Sequence, residues 1–130
     1  MALGILLRIA AIYTALAGLG FIFAPVQLGA GAVPADASAA LVAHLRVLSS
    51  SLLGIAVLDW AGRNAEPSRA RDAIILGNIV GFAAIGAMDV WSQFSGGRDV
   101  TQAFAVVHLL FSLAFIWAWR TSRSSRSAKP

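Results

Sequence analysis

The chain has 130 residues, of which 58% are hydrophobic and 12% charged, with a formal net charge of +4. An ordinary soluble domain has about 45–50% apolar and about 25% charged residues, so this composition excludes that class and indicates a membrane protein. The sequence has no cysteine, which excludes disulfides, thiolate metal sites, iron–sulfur clusters and dithiol redox chemistry.

Four apolar runs of about 20 residues follow one another, each long enough to cross a hydrocarbon core of about 30 Å as a helix. The period-two alternation of a membrane barrel is absent. We therefore predict an all-α, integral membrane four-helix bundle that forms one domain over residues 1–120. The helices are expected at about residues 3–23, 39–60, 71–91 and 101–119, and a disordered basic cytoplasmic tail at residues 121–130.

Three helix starts have recognisable signals. Asp36 can cap the second helix, and Pro67 suits the first turn of the third. Asp99 and Gln102 have the spacing of a capping box at the start of the fourth. These signals support helices as the spanning elements.

The cations are distributed unevenly among the loops. The first and third loops contain only Arg98, whereas the second loop and the tail contain most of the others: Arg63, Arg69, Arg71, Arg120, Arg123, Arg126 and Lys129. By the positive-inside rule both termini are cytoplasmic, in a multi-pass protein of the bacterial inner (plasma) membrane. The net charge then reflects topology, and the expected partner is the lipid bilayer rather than nucleic acid.

The first helix has a competing interpretation as a cleaved signal peptide, since small residues follow it at residues 35–37. The apolar run over residues 9–24 is long for a signal peptide, and no basic residue precedes Arg8. We therefore expect the helix to be retained, although the sequence leaves both interpretations open.

Small residues mark two places where helices can approach closely. Gly77 and Gly81 form a GxxxG pair, and Ser50 with Gly54 forms a similar pair. Such pairs pack helices within one bundle or between copies. The sequence therefore leaves open packing within the chain, a homo-oligomer through Gly77 and Gly81, and assembly into a larger membrane complex.

Polar residues recur on the inner faces of the predicted helices. At about 100° per residue, Arg71, Asn78 and Asp89 fall within about 20° of one another on the third helix. On the second helix, Arg46 shares its face with Ser49 and Ser50.

Depth in the membrane limits which of these residues can meet. Arg46 and His108 lie about seven residues from the outer ends of their helices and Asp89 about two, and Arg46 can extend outward to Asp89. Burying an arginine at mid-helix costs about 2.5–3.5 kcal/mol, which favours a functional role. We predict a ligand-binding pocket in the outer half, formed by Arg46, Asp89, His108, Ser49 and Ser50.

A second polar set lies deeper in the predicted bundle. Arg8 and Asp59 can pair near the inner side, and Tyr13 and Asn78 lie towards the middle. We interpret these four as structural polar pairs, each contributing about 0.6–2 kcal/mol.

The polar residues of the predicted helices give little support to haem binding, zinc binding or nucleophilic catalysis. A haem held by His44 and His108 is disfavoured because His44 lies about 160° from the face of Arg46. Zinc lacks sufficient ligands, and the serines near His108 lack a nucleophile elbow. We therefore predict no catalytic residue, metal or cofactor, and expect a binding protein rather than an enzyme. Two alternatives stay open: a small transporter or haem- or quinone-associated redox subunit, and a purely structural scaffold.

Three short features carry a family resemblance: Gly-Phe-Ile-Phe-Ala-Pro at residues 20–25, His44-Leu45-Arg46, and the basic turn before Arg71. With them the chain resembles the DoxX-like and related small four-helix bacterial inner-membrane proteins. Known members are membrane partners of oxidoreductase or sulfur-compound pathways. The resemblance implies a binding or accessory subunit, with Arg46 as the one residue that carries over. The predicted outer-half pocket and this resemblance together predict that the chain binds a polar or anionic small molecule, or a lipid or quinone head group.

Overall fold

In a computed structural model, the backbone is described for residues 2–30, 33–95 and 99–127, and the side chains for residues 2–30, 33–95 and 102–122. These residues form five helices: α1 (Ala2–Phe23), α2 (Pro25–Leu28), α3 (Ala39–Gly62), α4 (Arg69–Phe94) and α5 (Asp99–Ser127). Apart from an isolated bridge between Ala30 and Val33, the described elements are helical, which confirms the all-α prediction.

Four of the helices are long and apolar enough to cross a membrane. The candidate spans are Ala2–Phe23, Ala39–Gly62, Arg69–Phe94 and Gln102–Ser122. Many of their large apolar side chains are exposed on the surface of the chain, as expected for helices in lipid. These features indicate a multi-pass membrane protein.

Two helices begin at serines rather than at the predicted residues. Ser38 Oγ accepts a hydrogen bond from the Leu41 amide at 3.2 Å, just before α3. Ser68 is the N-cap of α4 and accepts from the Arg71 amide at 3.2 Å. The prediction that Asp36 caps α3 is therefore wrong, because Ser38 lies closer to the helix and accepts from an amide of its first turn. The prediction that Pro67 lies in the first turn of the third long helix is also wrong, because α4 begins two residues later, at Arg69. The predicted capping box of α5 lies outside the described side chains.

A proline separates α1 from α2. Pro25 has no amide hydrogen and cannot continue the α1 hydrogen-bond ladder. Ala24, just before it, has φ −136° and ψ 56°, outside the helical region. Pro25 instead begins the single turn α2, which lies between the first two predicted helices, where the sequence predicts a loop.

Helix α5 continues beyond its predicted end at residue 119. It extends to Ser127, whereas a disordered tail was expected over residues 121–130, of which residues 128–130 lie outside the described part. Thr121 Oγ1 donates to the Trp117 and Ala118 carbonyls at 3.0 Å, and Ser122 Oγ to the Trp119 carbonyl at 2.8 Å. Polar side chains are thus accommodated by the helix itself, and no glycine or proline interrupts it before Pro130.

The chain divides into two compact units, one comprising residues 8–61 and the other residues 1–7 and 62–130. In the first, α1 and α3 approach closely at Gly18, where a Cβ would lie 3.0 Å from Leu53 Cδ2 and 3.2 Å from the Ser49 carbonyl oxygen. In the second, α4 packs along α5. We refer to this second arrangement as the α4–α5 pair.

The small residues of the GxxxG pair face outward. Gly77 and Gly81 are both exposed, and a Cβ at either would have no neighbour within 4 Å among the described residues. Gly54 in α3 is equally open. The described part of the chain therefore shows no packing against these glycines, and contact with a second copy stays a prediction.

Candidate functional site

The α4–α5 pair contains a histidine and an aspartate in direct contact. His108 Nδ1 lies 2.6 Å from Asp89 Oδ2, and the two side chains are 10% and 19% exposed. Asp89 is five residues before the end of α4, and His108 is six residues inside the candidate span of α5. Both are therefore about 8–9 Å from the end of their helix or span. We call these two residues the Asp–His pair.

Two features of the helix contact bring the pair together. Gly86 lies one turn before Asp89, and a Cβ there would approach Leu109 Cδ2 to 2.9 Å and the Leu109 amide nitrogen to 3.4 Å. Ser112, one turn after His108, donates from Oγ to the Ile79 carbonyl at 3.0 Å. The absence of a side chain at Gly86 therefore lets the two backbones approach next to the pair.

Aromatic rings of both α4 and α5 lie near the imidazole. The Phe82 ring stacks with His108 at a centroid distance of 6.0 Å, and the Phe104 ring does so at 6.2 Å. Phe82 also stacks with Phe111 and Phe115, at 4.6 Å and 6.2 Å. Phe82 and Phe115 are almost completely buried. The pair thus lies in apolar surroundings, where a hydrogen bond is electrostatically stronger than in water.

The contact restricts the chemistry of the histidine. An ionised carboxylate only accepts hydrogen bonds, so Nδ1–H donates to an ionised Asp89. The 2.6 Å separation is slightly shorter than the about 2.7–2.9 Å of charge-assisted N–H···O bonds. In the neutral tautomer this leaves Nε2 as the acceptor nitrogen, and in the protonated ring Nε2 is a donor. Asp89 therefore fixes the ring orientation, and the same histidine can present either an acceptor or a donor to a polar ligand.

Arg46, predicted to lie in the same pocket, belongs to the unit of residues 8–61. Its side chain is exposed, and Nε donates to the Ile22 carbonyl at 3.0 Å. Ile22 lies in the last turn of α1, where carbonyls lack partners within the helix and carry partial negative charge. Arg46 thus stabilises the end of α1, and its joining the Asp–His pair stays a prediction.

The predicted serine ligands make hydrogen bonds within α3. Ser49 Oγ donates to the Leu45 carbonyl at 2.6 Å and Ser50 Oγ to the Val47 carbonyl at 2.7 Å. Ser49 is buried and Ser50 exposed. Both hydroxyl hydrogens are therefore used by the helix, which leaves the oxygen lone pairs as the groups that a ligand could engage.

The four residues expected to form structural polar pairs are placed as follows. Asn78 is buried in the α4–α5 pair, and its Nδ2 donates to the Ile74 carbonyl at 3.0 Å. Asp59 is fully buried, Tyr13 is half-buried and Arg8 is exposed, all in the unit of residues 8–61. The pairing of Arg8 with Asp59 stays a prediction.

Sequence reasoning missed the residues that shape the site. Gly86 had a usable signal, because it is a glycine one turn before Asp89 and about 60° around the helix from it. Phe82 had none beyond its apolar character. The other histidine, His44, is exposed in the unit of residues 8–61, and the described side chains contain no cluster of three or more histidines, aspartates or glutamates.

Comparison with models of protein families, with curated proteins and with solved structures finds no match for this chain.

Proposed function

We propose that the chain is a multi-pass protein of the bacterial inner membrane with cytoplasmic termini, and that it binds a polar or anionic small molecule, or a lipid or quinone head group, at the Asp–His pair. An accessory subunit of a larger membrane complex is the role that fits best with the DoxX-like resemblance. We expect binding rather than catalysis.

The observation that carries this proposal is the 2.6 Å contact between His108 and Asp89 inside candidate membrane spans. Ionisable residues within membrane segments are costly and commonly mark ligand or ion pathways. Holding two helices together does not require such residues, because small residues and Ser112 already make close contacts in the α4–α5 pair. The energetic cost of Asp89 and His108 therefore favours a role beyond packing.

The pair has the properties of a recognition site for a polar group. Asp89 orients the imidazole, and His108 donates to or accepts from the ligand, while the rings of Phe82 and Phe104 give the imidazole apolar neighbours. An anionic ligand is favoured by the protonated ring. In this proposal Arg46 supplies further positive charge, and loss of affinity in Arg46→Ala is the result expected for that part.

Native mass spectrometry of the protein in nanodiscs, with an absorption spectrum of the same sample, tests the proposal. We expect a stoichiometric bound mass in the wild type and its loss in His108→Gln and Asp89→Asn. Ser51→Ala is the matched polar control that retains it, because Ser51 is exposed and its Oγ donates to the Leu48 carbonyl at 2.6 Å. Thermal unfolding of each variant shows whether the fold is kept.

Three results would count against the binding proposal. A Soret band would support the haem-associated alternative instead. Retention of the bound mass in folded His108→Gln and Asp89→Asn would place the ligand elsewhere. A protein free of ligand, whose pair variants fail to fold, would indicate a structural scaffold.

A further inference from the structure

A cluster of arginines lies at the other end of the α4–α5 pair from the Asp–His pair. Phe82 lies opposite Phe115 and Asp89 opposite His108, so the two helices are antiparallel. Extended along the helices, this register places residues 71–74 of α4 level with residues 123–126 of α5. We define the arginine cluster by its positions in the sequence, as Arg69, Arg71, Arg120, Arg123 and Arg126.

The length of α5 places its arginines at the membrane surface. From Gln102 to Arg120 the helix rises about 27 Å, close to the hydrocarbon thickness of about 30 Å. Since the backbone stays helical to Ser127, the remaining turns extend into the head-group layer. Trp117, which is 62% exposed, lies one turn before Arg120, where an aromatic belt is expected.

The protein supplies little negative charge to offset this cluster. Glu66 and Asp72 are the only acidic residues between Asp59 and Asp89, and no acidic residue follows Asp99. Arg71 Nε is buried and has no hydrogen-bond acceptor among the described residues. In the sequence, like charges are therefore concentrated at one end of the pair, and the described residues offer no hydrogen-bond acceptor to Arg71 Nε.

Arginine is the side chain best suited to bind phosphate, because its planar fork donates two parallel hydrogen bonds to phosphate oxygens. Phospholipid phosphates occupy the layer that the end of α5 reaches. An anionic lipid adds a net negative charge that a zwitterionic lipid lacks, and this charge reduces the repulsion among the arginines.

We propose that the arginine cluster binds the head group of an anionic phospholipid such as phosphatidylglycerol. This inference rests on the membrane-spanning arrangement in the proposed function but not on the Asp–His pair. Failure of the lipid proposal would therefore leave the proposal of ligand binding at the Asp–His pair intact. Failure of ligand binding at the Asp–His pair would likewise leave the lipid proposal intact.

The test compares lipid binding by the full chain in detergent, titrated with phosphatidylglycerol or phosphatidylcholine and followed by native mass spectrometry. Near an anionic surface each basic residue strengthens binding about fivefold. We therefore expect phosphatidylglycerol to bind more tightly than phosphatidylcholine by tenfold or more. The variant with Arg120→Gln, Arg123→Gln and Arg126→Gln should lose this preference.

Two further variants decide the interpretation. Replacement of the same three arginines by lysine should keep most of the preference, because the charge is retained. Arg98→Gln, which lies between α4 and α5 in the sequence, should keep all of it. Equal binding of the two lipids by the wild type, or full preference in the triple glutamine variant, would overturn the proposal. Thermal unfolding without lipid verifies that the triple variants are folded.

Discussion

Replacement of Gly86 tests whether close approach of α4 and α5 creates the Asp–His pair. In Gly86→Ala the new Cβ would lie 2.9 Å from Leu109 Cδ2 and 3.0 Å from Leu109 Cγ. Ordinary carbon contacts need about 3.5–4.0 Å, so the neighbours must separate by about 0.5–1 Å. If the helices move apart by that amount, the 2.6 Å contact between Asp89 and His108 lengthens to about 3.1–3.6 Å, at or beyond the limit of a hydrogen bond.

The effect on stability is smaller than the effect on the site. Overpacking costs about 1–3 kcal/mol, and alanine recovers up to about 1 kcal/mol of helix propensity relative to glycine. We therefore expect Gly86→Ala to lose about 0–2 kcal/mol of unfolding free energy. The end of the Leu109 side chain can rotate away, so Gly86→Val, whose methyl groups approach the Leu109 backbone, is the stronger perturbation.

The assay is nitrogen-15 NMR of the imidazole in detergent or nanodiscs. The chain has two histidines, so a His44→Gln background leaves only the signals of His108. We expect the hydrogen-bonded Nδ1 proton to lose its downfield shift in Gly86→Ala and more fully in Gly86→Val. Gly54→Ala and Gly54→Val are the controls, because a Cβ at Gly54 meets nothing within 4 Å. An unchanged His108 signal in Gly86→Val would refute the reasoning.

Three further predictions concern polar contacts and the outward glycines. Ser112→Ala removes the hydroxyl that donates to the α4 backbone and should lower the unfolding free energy by about 0.6–1.5 kcal/mol. Ser50→Ala should change the unfolding free energy little, and thermal unfolding measures both variants. Arg46→Gln removes the hydrogen bond to Ile22 and should speed amide hydrogen exchange around the junction of α1 and α2. Gly81→Leu should leave the monomer folded but reduce cross-linked homo-oligomers; unchanged cross-linking would exclude that face as the contact.

The spanning helices were predictable because lipid leaves few alternatives. An apolar run of about 20 residues must satisfy its backbone internally, so composition alone indicates a helix. The ends were less predictable, because several polar residues compete to cap each helix. Ser38 and Ser68 lie closer to the first turns of α3 and α4 than Asp36 and Pro67 do. The serines are therefore the residues whose side chains accept hydrogen bonds from amides of those turns.

The candidate site was predictable only in part. Helical periodicity placed Asp89 and His108 on interior faces, and the structure brings them together. Helical periodicity did not reveal that Gly86 allows this contact, because the close approach of two helices depends on which residue of the neighbouring helix lies opposite. Arg46 illustrates a further limit, since a long side chain can satisfy a backbone carbonyl such as that of Ile22 instead of an acidic partner.

The fully buried Asp59 has a consequence for biogenesis. An aspartate or arginine at the centre of an inserting helix costs about 2.5–3.5 kcal/mol, and less towards the helix ends. Helix α3 carries Asp59 three residues before its end, together with Arg46 and three consecutive serines. An isolated α3 would expose these groups to lipid as it leaves the translocon. Because α1 supplies the carbonyl that accepts from Arg46, we expect α3 to partition into the bilayer more completely when α1 is already there.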